Sequence, residues 1–165
     1  NGVTKGQSME TGVKTSAAEA RGLFVGRFDH NLDPKRRITI PATWREIMGS
    51  SGYVYVIPDP FQCCLNLLSV SEMEVRLEKL RQQALFNPDS SEALRVIGEN
   101  SEQLQWDVQG RIRIRDRLLA FAKLSAQVVM IGAVNRVQLW SPELRPEMSQ
   151  VDQTKLADAV KQVVF

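Results

Sequence analysis

The chain has 165 residues, 43% of them hydrophobic and 24% charged, an ordinary globular composition that suffices for one medium domain or two small ones. No apolar run reaches the roughly 18 residues of a membrane span, and the opening NGVTKGQSMETGVKTSAAEARG is polar, without an apolar signal segment, so a cytoplasmic protein with no membrane partner is expected. Cys63 and Cys64 are adjacent and His30 is the only histidine, which excludes a disulfide framework and leaves too few ligands for structural zinc. The net charge of +2, from 21 Lys+Arg against 19 Asp+Glu, is too small to coat nucleic acid indiscriminately, so any basic function must rest on local clustering.

In chain order, residues 1–21 lack periodicity and large apolar side chains and are expected to be a disordered extension. LFVGRFDHNL (23–32) alternates apolar and polar residues, reaches a turn at Asp33, and continues into Arg37-Ile38-Thr39-Ile40, again with a period of two. The pattern predicts a hairpin with a basic far side. Pro41 suits the first position of a short helix through Met48, because its missing N–H costs nothing there. Tyr53 to Ile57 is a near-continuous apolar run that predicts a buried strand, paired through a short turn with Cys64 to Leu68. Two helices follow. Ser71 with Glu74 has capping-box spacing, Val70, Met73, Leu77, Leu80 and Ala84 line one helical face, and Asn87-Pro88 ends that helix and caps the next, through about Gly98.

The same order of elements then returns. LDPKRRITIPATWREIMGSSGYVYVI (32–57) aligns without gaps with WDVQGRIRIRDRLLAFAKLSAQVVMI (106–131), so that Asp33 and Arg37 correspond to Asp107 and Arg111. With two residues lost, CCLNLLS (63–69) falls on NRVQLWS (135–141). The second copy therefore predicts a strand in SEQLQW, a turn at Asp107 with Gly110, a strand Arg111 to Ile114, and a helix from Arg115 to Lys123. A strand pair, Gln127 to Ile131 with Arg136 to Trp140, completes it. Ser141-Pro142 is a start signal for a further helix, and Leu156, Ala159, Val160, Val163 and Val164 form a final amphipathic stripe. The expected organisation is an extension at 1–21, repeats at 22–69 and 101–141, a helical connection at 70–100 and a helical region at 142–165. Half-units of this size cannot each bury a core, so they must share one, either as an intrachain pseudo-dimer, the simpler arrangement, or by pairing between subunits.

Basic residues cluster in 21–45, with Arg21, Arg27, Lys35, Arg36, Arg37 and Arg45 against Asp29 and Asp33, and in RIRIRDR (111–117). Pseudo-twofold symmetry would put the two hairpins on one surface, presenting Lys35, Arg36 and Arg37 beside Gln109, Arg111, Arg113 and Arg115. A two-stranded ribbon fits the DNA major groove, where arginine grips guanine O6 and N7 or a phosphate. The D-x-x-x-R spacing also has a purely local reading, an aspartate that closes its turn and pairs with the arginine, which is worth little when exposed. The two readings are compatible, since a carboxylate that orients a guanidinium also pre-organises it for a ligand. A lone His30, helix-surface carboxylates such as Glu72 and Glu74, and the absence of a nucleophile elbow, P-loop, dinucleotide fingerprint or zinc spacing argue against an enzyme, a cofactor or a metal. Trp44, Trp106 and Trp140 fall at strand and helix ends, where packing is the default role. A protein-interaction module whose helices dock a partner is the alternative from another class.

The stretches GRFDHNLDPKRRITIPATWRE, WDVQGRIRIRDRL and VMIGAVNRVQLWSPE together resemble the MraZ family of bacterial transcriptional regulators, over residues 22 to about 150. The resemblance implies an α+β fold related to the SpoVT/AbrB-like swapped-hairpin β-barrels, with both halves in one chain and added helices. It also implies a ring-shaped homo-oligomer of roughly eight to twelve subunits, associated with the nucleoid. The implied function is repression of the division and cell-wall gene cluster, including the regulator's own gene, by binding double-stranded DNA at G-rich tandem direct repeats through the two D-x-x-x-R hairpins. Related barrels serve antitoxins. Carried onto this chain, the motif positions are Asp33, Lys35, Arg37, Asp107 and Arg111, with Arg36, Gln109 and Arg113 beside them. The family's first motif usually reads D-x-K-G-R, and here Arg36 stands in place of that glycine while Gly110 keeps it in the second copy. The extension before Gly22 is longer than the family's usual start.

Overall fold

The computed structural model describes residues 22–145 and 150–163. The expected disordered extension, Arg21 and Val164 lie outside these residues. Eight strands and five helices follow in chain order among them. The first copy holds β1 (Arg27–Asn31), β2 (Arg37–Thr39), α1 (Ala42–Met48), β3 (Tyr53–Pro58) and β4 (Leu65–Leu68). After α2 (Val70–Ala84) and α3 (Pro88–Asn100), the second holds β5 (Glu102–Gln105), β6 (Arg111–Arg113), α4 (Asp116–Phe121), β7 (Gln127–Gly132) and β8 (Val137–Trp140), and α5 (Gln153–Val160) ends the described chain.

The strands form a mixed α+β arrangement of a six-stranded antiparallel sheet, ordered β1-β7-β8-β4-β3-β5, and a separate two-stranded ribbon, β2-β6. That order reads the same when the two copies are exchanged. The expected local strand pairs β3–β4 and β7–β8 are present. The hairpin expected within each copy is not. β1 pairs with β7, from Arg27 opposite Ile131 to Asn31 opposite Gln127, β5 pairs with β3, and β2 pairs with β6. Each turn is closed by two backbone bonds, from Asp33 N–H to the Arg37 carbonyl (3.1 Å) and Arg36 N–H to the Asp33 carbonyl (2.9 Å), and likewise from Asp107 N–H to the Arg111 carbonyl (3.0 Å) and Gly110 N–H to the Asp107 carbonyl (2.9 Å), after which its strands part. Burial explains the exchange. A lone two-stranded hairpin hides too little apolar surface to be stable, whereas the paired ribbon places Ile38, Ile40, Ile112 and Ile114, none more than 1% exposed, in one core.

That core takes side chains from both copies: the four isoleucines, Trp44 and Met48 of α1, Leu118 and Leu119 of α4, and the inward positions of β3, β4, β7 and β8. Trp44 is held by edge-on contacts with Phe24 and Phe28 and donates its indole N–H to the Val25 carbonyl at 3.3 Å. Trp140 packs with Cys64 and Val129 on the opposite face of the sheet, and Trp106 flanks the main core. β3 alternates buried Val54 and Val56 with half-exposed neighbours, so it is covered fully on one face only.

Local signals differ from expectation at three points. The capping residue of α2 is Ser69, whose hydroxyl accepts from Glu72 N–H at 3.1 Å, rather than Ser71 with Glu74. Ser69 wins because it directly ends β4, and its extended backbone (φ −64°, ψ 160°) is the conformation a capping residue requires. Ser141-Pro142 opens only a turn, with Arg145 N–H returning to the Ser141 carbonyl, before the chain passes outside the described residues. The late stripe is helical only to Val160, and Leu156, Val160 and Val163 are all exposed. By contrast Asn87 caps α3 as expected, accepting from Asp89 N–H at 2.9 Å, and that helix runs on to Asn100.

Candidate nucleic-acid interface

The two turns are built alike, bond for bond. Asp33 Oδ1 accepts the N–H of Lys35 (2.9 Å) and of Arg37 (2.8 Å), while Oδ2 accepts Arg37 Nε at 2.6 Å. In the second copy Asp107 Oδ1 accepts from Gln109 (2.9 Å) and Arg111 (3.0 Å), and Oδ2 accepts Arg111 Nε at 2.8 Å. The aspartate side chain thus stands in for the missing strand partner and satisfies two turn amides that would otherwise need water. It also uses only the inner Nε of each arginine, so the guanidinium is fixed in direction while its outer nitrogens remain available.

Partial burial pushes the Asp33 carboxyl upward, but the Arg37 amide and guanidinium more than offset it, and the carboxyl lies below its ordinary value. For Asp107 the Arg111 amide is the largest influence and again holds the carboxyl below its ordinary value. Both aspartates are therefore anionic at neutral pH.

Arg36 has φ 63° and Gly110 φ 78°, so the replaced glycine has not changed the turn. Arg36 occupies the left-handed region, which costs a side chain roughly 1–2 kcal/mol. Gly110 could not be so replaced without displacement, because a Cβ there would lie 2.5 Å from Cζ and Nε of Arg45, whose Nε donates to the Ile40 carbonyl at 3.1 Å. The position equivalent to Arg45 in the second copy is buried Leu119, which leaves the space beside Arg36 free of an arginine.

The turns are joined through the ribbon. Ile38 sits opposite Ile112, Arg37 opposite Arg113 and Thr39 opposite Arg111. The ladder continues past both ends, with Ile114 N–H donating to the Arg36 carbonyl (3.0 Å) and Ile40 N–H to the Gly110 carbonyl (2.9 Å). Because Ile38 and Ile112 point inward, Arg37, Thr39, Arg111 and Arg113 share the outward face. Asp33, Lys35, Arg36, Arg37, Asp107, Gln109, Arg111 and Arg113 thus lie on one ribbon and the two turns that lead into it. Lys35 and Arg113 are exposed and form no ion pair among the described residues, whereas Arg36 approaches Asp116 at 3.8 Å. Arg115 is drawn off by Glu102, which also pairs with Arg117. Like-charged Arg37 and Arg113 directly opposite one another oppose folding, an arrangement that an anionic ligand would relieve.

His30 lies on β1 beside a shallow depression whose other lining is Arg27, Asp29, Asn31, three residues of β7 and Pro142, with no nucleophile among them. Among the described residues no group of His, Cys, Asp and Glu could hold a metal, and no helix is long and apolar enough to cross a membrane. Arg45 stands out in the sequence only as one of a basic cluster and Thr39 does not stand out at all, since only the exchange of strands sets Thr39 opposite Arg111 and Arg45 beside Gly110. A buried polar chain was also missed. Asp59 accepts from Phe61 N–H, Gln62 N–H and Asn66 Nδ2, Asn66 Oδ1 accepts Arg136 Nε and Gln138 Nε2, and Gln138 Oε1 accepts Trp140 Nε1. Its signal was present in the repeat, where Asn66 and Gln138 are matched polar interruptions of apolar strands.

Residues 99–158 match a family described as "MraZ protein, putative antitoxin-like". A protein of Alkaliphilus metalliredigens named "Transcriptional regulator MraZ" is 31% identical over 121 residues, covering 73% of this chain and 82% of the relative. The chain belongs to the MraZ family. A Natranaerobius thermophilus protein of the same name is 30% identical over 142 residues, covering 86% of this chain and 97% of the relative, and one from Clostridium tetani is 28% identical over 143 residues, covering 86% and 99%.

Proposed function

We propose that this chain is a sequence-specific DNA-binding transcriptional regulator that uses the β2–β6 ribbon, with its two Asp-fixed arginines Arg37 and Arg111, to grip the major groove. The observation that carries the reading is the doubling of one turn geometry on a single exposed ribbon. The relatives' name, "Transcriptional regulator MraZ", supports it. A ribbon of this width suits the major groove, and a guanidinium held by its inner nitrogen presents the fork that pairs with guanine O6 and N7.

In this reading the exchanged strands form a swapped-hairpin barrel of the SpoVT/AbrB kind, with repeats at 22–69 and 101–141 joined by the helices at 70–100. Chains assemble into a ring of roughly eight to twelve copies in the cytoplasm, on the nucleoid. The ring binds G-rich direct repeats and represses the division and cell-wall cluster that contains its own gene. Individually weak contacts then gain affinity from linkage, because neighbouring ribbons meet neighbouring repeats at high effective concentration.

The test is binding to a duplex of tandem G-rich repeats, against a scrambled duplex, at two salt concentrations. Arg37→Ala and Arg111→Ala should each weaken binding to the repeats by about 1–3 kcal/mol per lost base contact. Unchanged affinity in either variant removes that arginine from the site.

A second reading rests on the apolar cavity of about 750 Å³ between α2, α3 and the sheet, lined by Met73, Leu77, Leu80, Val96, Phe61 and Phe121 among others. In that reading the helices dock a partner protein, as an antitoxin-like barrel would. A tight protein complex with no salt-dependent DNA binding would favour it.

A further inference from the structure

The two turns share one backbone but present different chemistry, and the antiparallel ribbon sorts that difference into two ends. At one end stand Lys35, Arg36 and Arg37 of the first copy. The register places Arg113 directly across from Arg37, and the bond from Ile114 N–H to the Arg36 carbonyl keeps the second copy's strand against the turn. Lys35 and Arg113 are both exposed and both without a carboxylate partner among the described residues. At the other end the positions related by the repeat are Val108, Gln109, Gly110 and Arg111, faced by Thr39 instead of an arginine. Val108 is wholly exposed at the tip of its turn, where burying no apolar surface gives it no role in the fold. Gln109 is exposed as well, with its backbone N–H held by Asp107.

Resting on the DNA-binding reading, we propose that the two ends divide the work. The Lys35–Arg113 end is a phosphate clamp, and the Val108–Gln109 end reads base edges, so that each chain lies on the duplex in one orientation only. Two exposed cations without an ion-pair partner among the described residues attract phosphates without regard to sequence. A glutamine amide offers one donor and one acceptor at fixed spacing, the complement of the adenine N6 and N7 edge, and an exposed valine suits the thymine methyl. Arg37 and Arg111, fixed identically by their aspartates, are common to both ends. A ribbon with equal ends would bind an inverted repeat as readily as a direct one, because turning it around would present the same chemistry. With unequal ends, successive chains bind best when successive sites point the same way.

The experiment measures affinity as a function of salt on a tandem G-rich repeat duplex and on a panel in which each base pair of the repeat is exchanged in turn. Wild type is compared with Lys35→Ala/Arg113→Ala and with Val108→Ala/Gln109→Ala, all at exposed positions outside the core. The first variant is expected to weaken binding to every duplex by a similar factor and to reduce the slope of log K against log salt by about 2, one for each cation. The second should keep the wild-type slope and lose discrimination at one or two base pairs, by about fivefold to a hundredfold. Equal loss of slope in both variants, or loss of base discrimination in the Lys35/Arg113 variant alone, overturns the division of work while leaving DNA binding intact. Absence of binding by wild type to any duplex overturns the DNA-binding reading itself, and the division with it.

Discussion

At the residue scale, the aspartates and Arg36 carry the sharpest consequences. Each carboxyl is held below its ordinary value, so the stability it lends is complete above about pH 4, the ordinary carboxylate range, and is lost only as pH falls through the lower folded value. The amide resonances of Lys35, Arg37, Gln109 and Arg111 should therefore hold their positions from pH 8 to 5 and move together below about pH 4. Movement between pH 8 and 5 would mean that the turns are not closed by these carboxylates. Arg36 poses a different balance. Arg36→Gly removes left-handed strain of roughly 1–2 kcal/mol but restores about 0.4–1 kcal/mol of unfolded-chain entropy. Chemical denaturation should show a net change of about 0–1.6 kcal/mol, in the stabilising direction. Stability should thus be kept while one cation beside the ribbon is lost, so a marked destabilisation would show that the Arg36 side chain, through Asp116, holds the turn.

The elements show where small residues are fixed by neighbours rather than by their own conformation. Gly132 ends β7 with an ordinary φ, yet a Cβ there would lie 2.5 Å from Val25 N and 2.6 Å from Phe24 C. The backbone of the chain entering β1 runs antiparallel beside the end of β7 at this point, bridged at Phe24 and Val134, and Gly132 N–H donates to the Gly26 carbonyl at 2.9 Å. Gly132→Ala must push backbone from backbone, so thermal denaturation should report a loss of about 1–3 kcal/mol, the usual range for overpacking. No change would mean that the approach of the two backbones is looser than 2.5 Å. Gly110 differs, because the atoms in its way belong to the flexible end of Arg45, and there the positive φ is the firmer constraint. Periodicity made α2 legible and the Asn87-Pro88 cap made α3 so, and Met73, Leu77 and Leu80 line the cavity between α2, α3 and the sheet. Periodicity also made the stripe of α5 visible, but Leu156 and Val160 remain exposed because an amphipathic pattern specifies a face and not what covers it.

For the whole molecule, the exchange of strands makes the halves interdependent. β1 has no partner within its own copy, β2 meets only β6, and β5 completes the sheet on β3 of the other half. A fragment of residues 22–69 would expose the apolar face of the ribbon together with inward side chains of β3 and β4. Such a fragment should be unfolded by circular dichroism at low concentration, or fold only as a homodimer that reproduces the same exchange, as read by sedimentation. A folded, monomeric fragment would show that each copy closes on itself.

How much of this was legible depends on the range of the interaction. The repeat, the D-x-x-x-R turns, the local strand pairs and the buried isoleucines were readable, because they depend on spacing along one strand or across one turn. The turns that hold Asp33 against Arg37 and Asp107 against Arg111 were readable for the same reason, since their aspartate bonds span no more than four positions. The partner of each motif strand was not readable. A period of two specifies which face is buried but not which strand lies alongside, and hairpin and exchange satisfy the same pattern. Only the tertiary structure decided that Arg113 faces Arg37, that Arg45 fills the space above Gly110, and that Arg115 is taken by Glu102. The sequence by itself determined the turns and their charges. Packing decided how those charges are combined, because a shared core buries more apolar surface than two separate hairpins can.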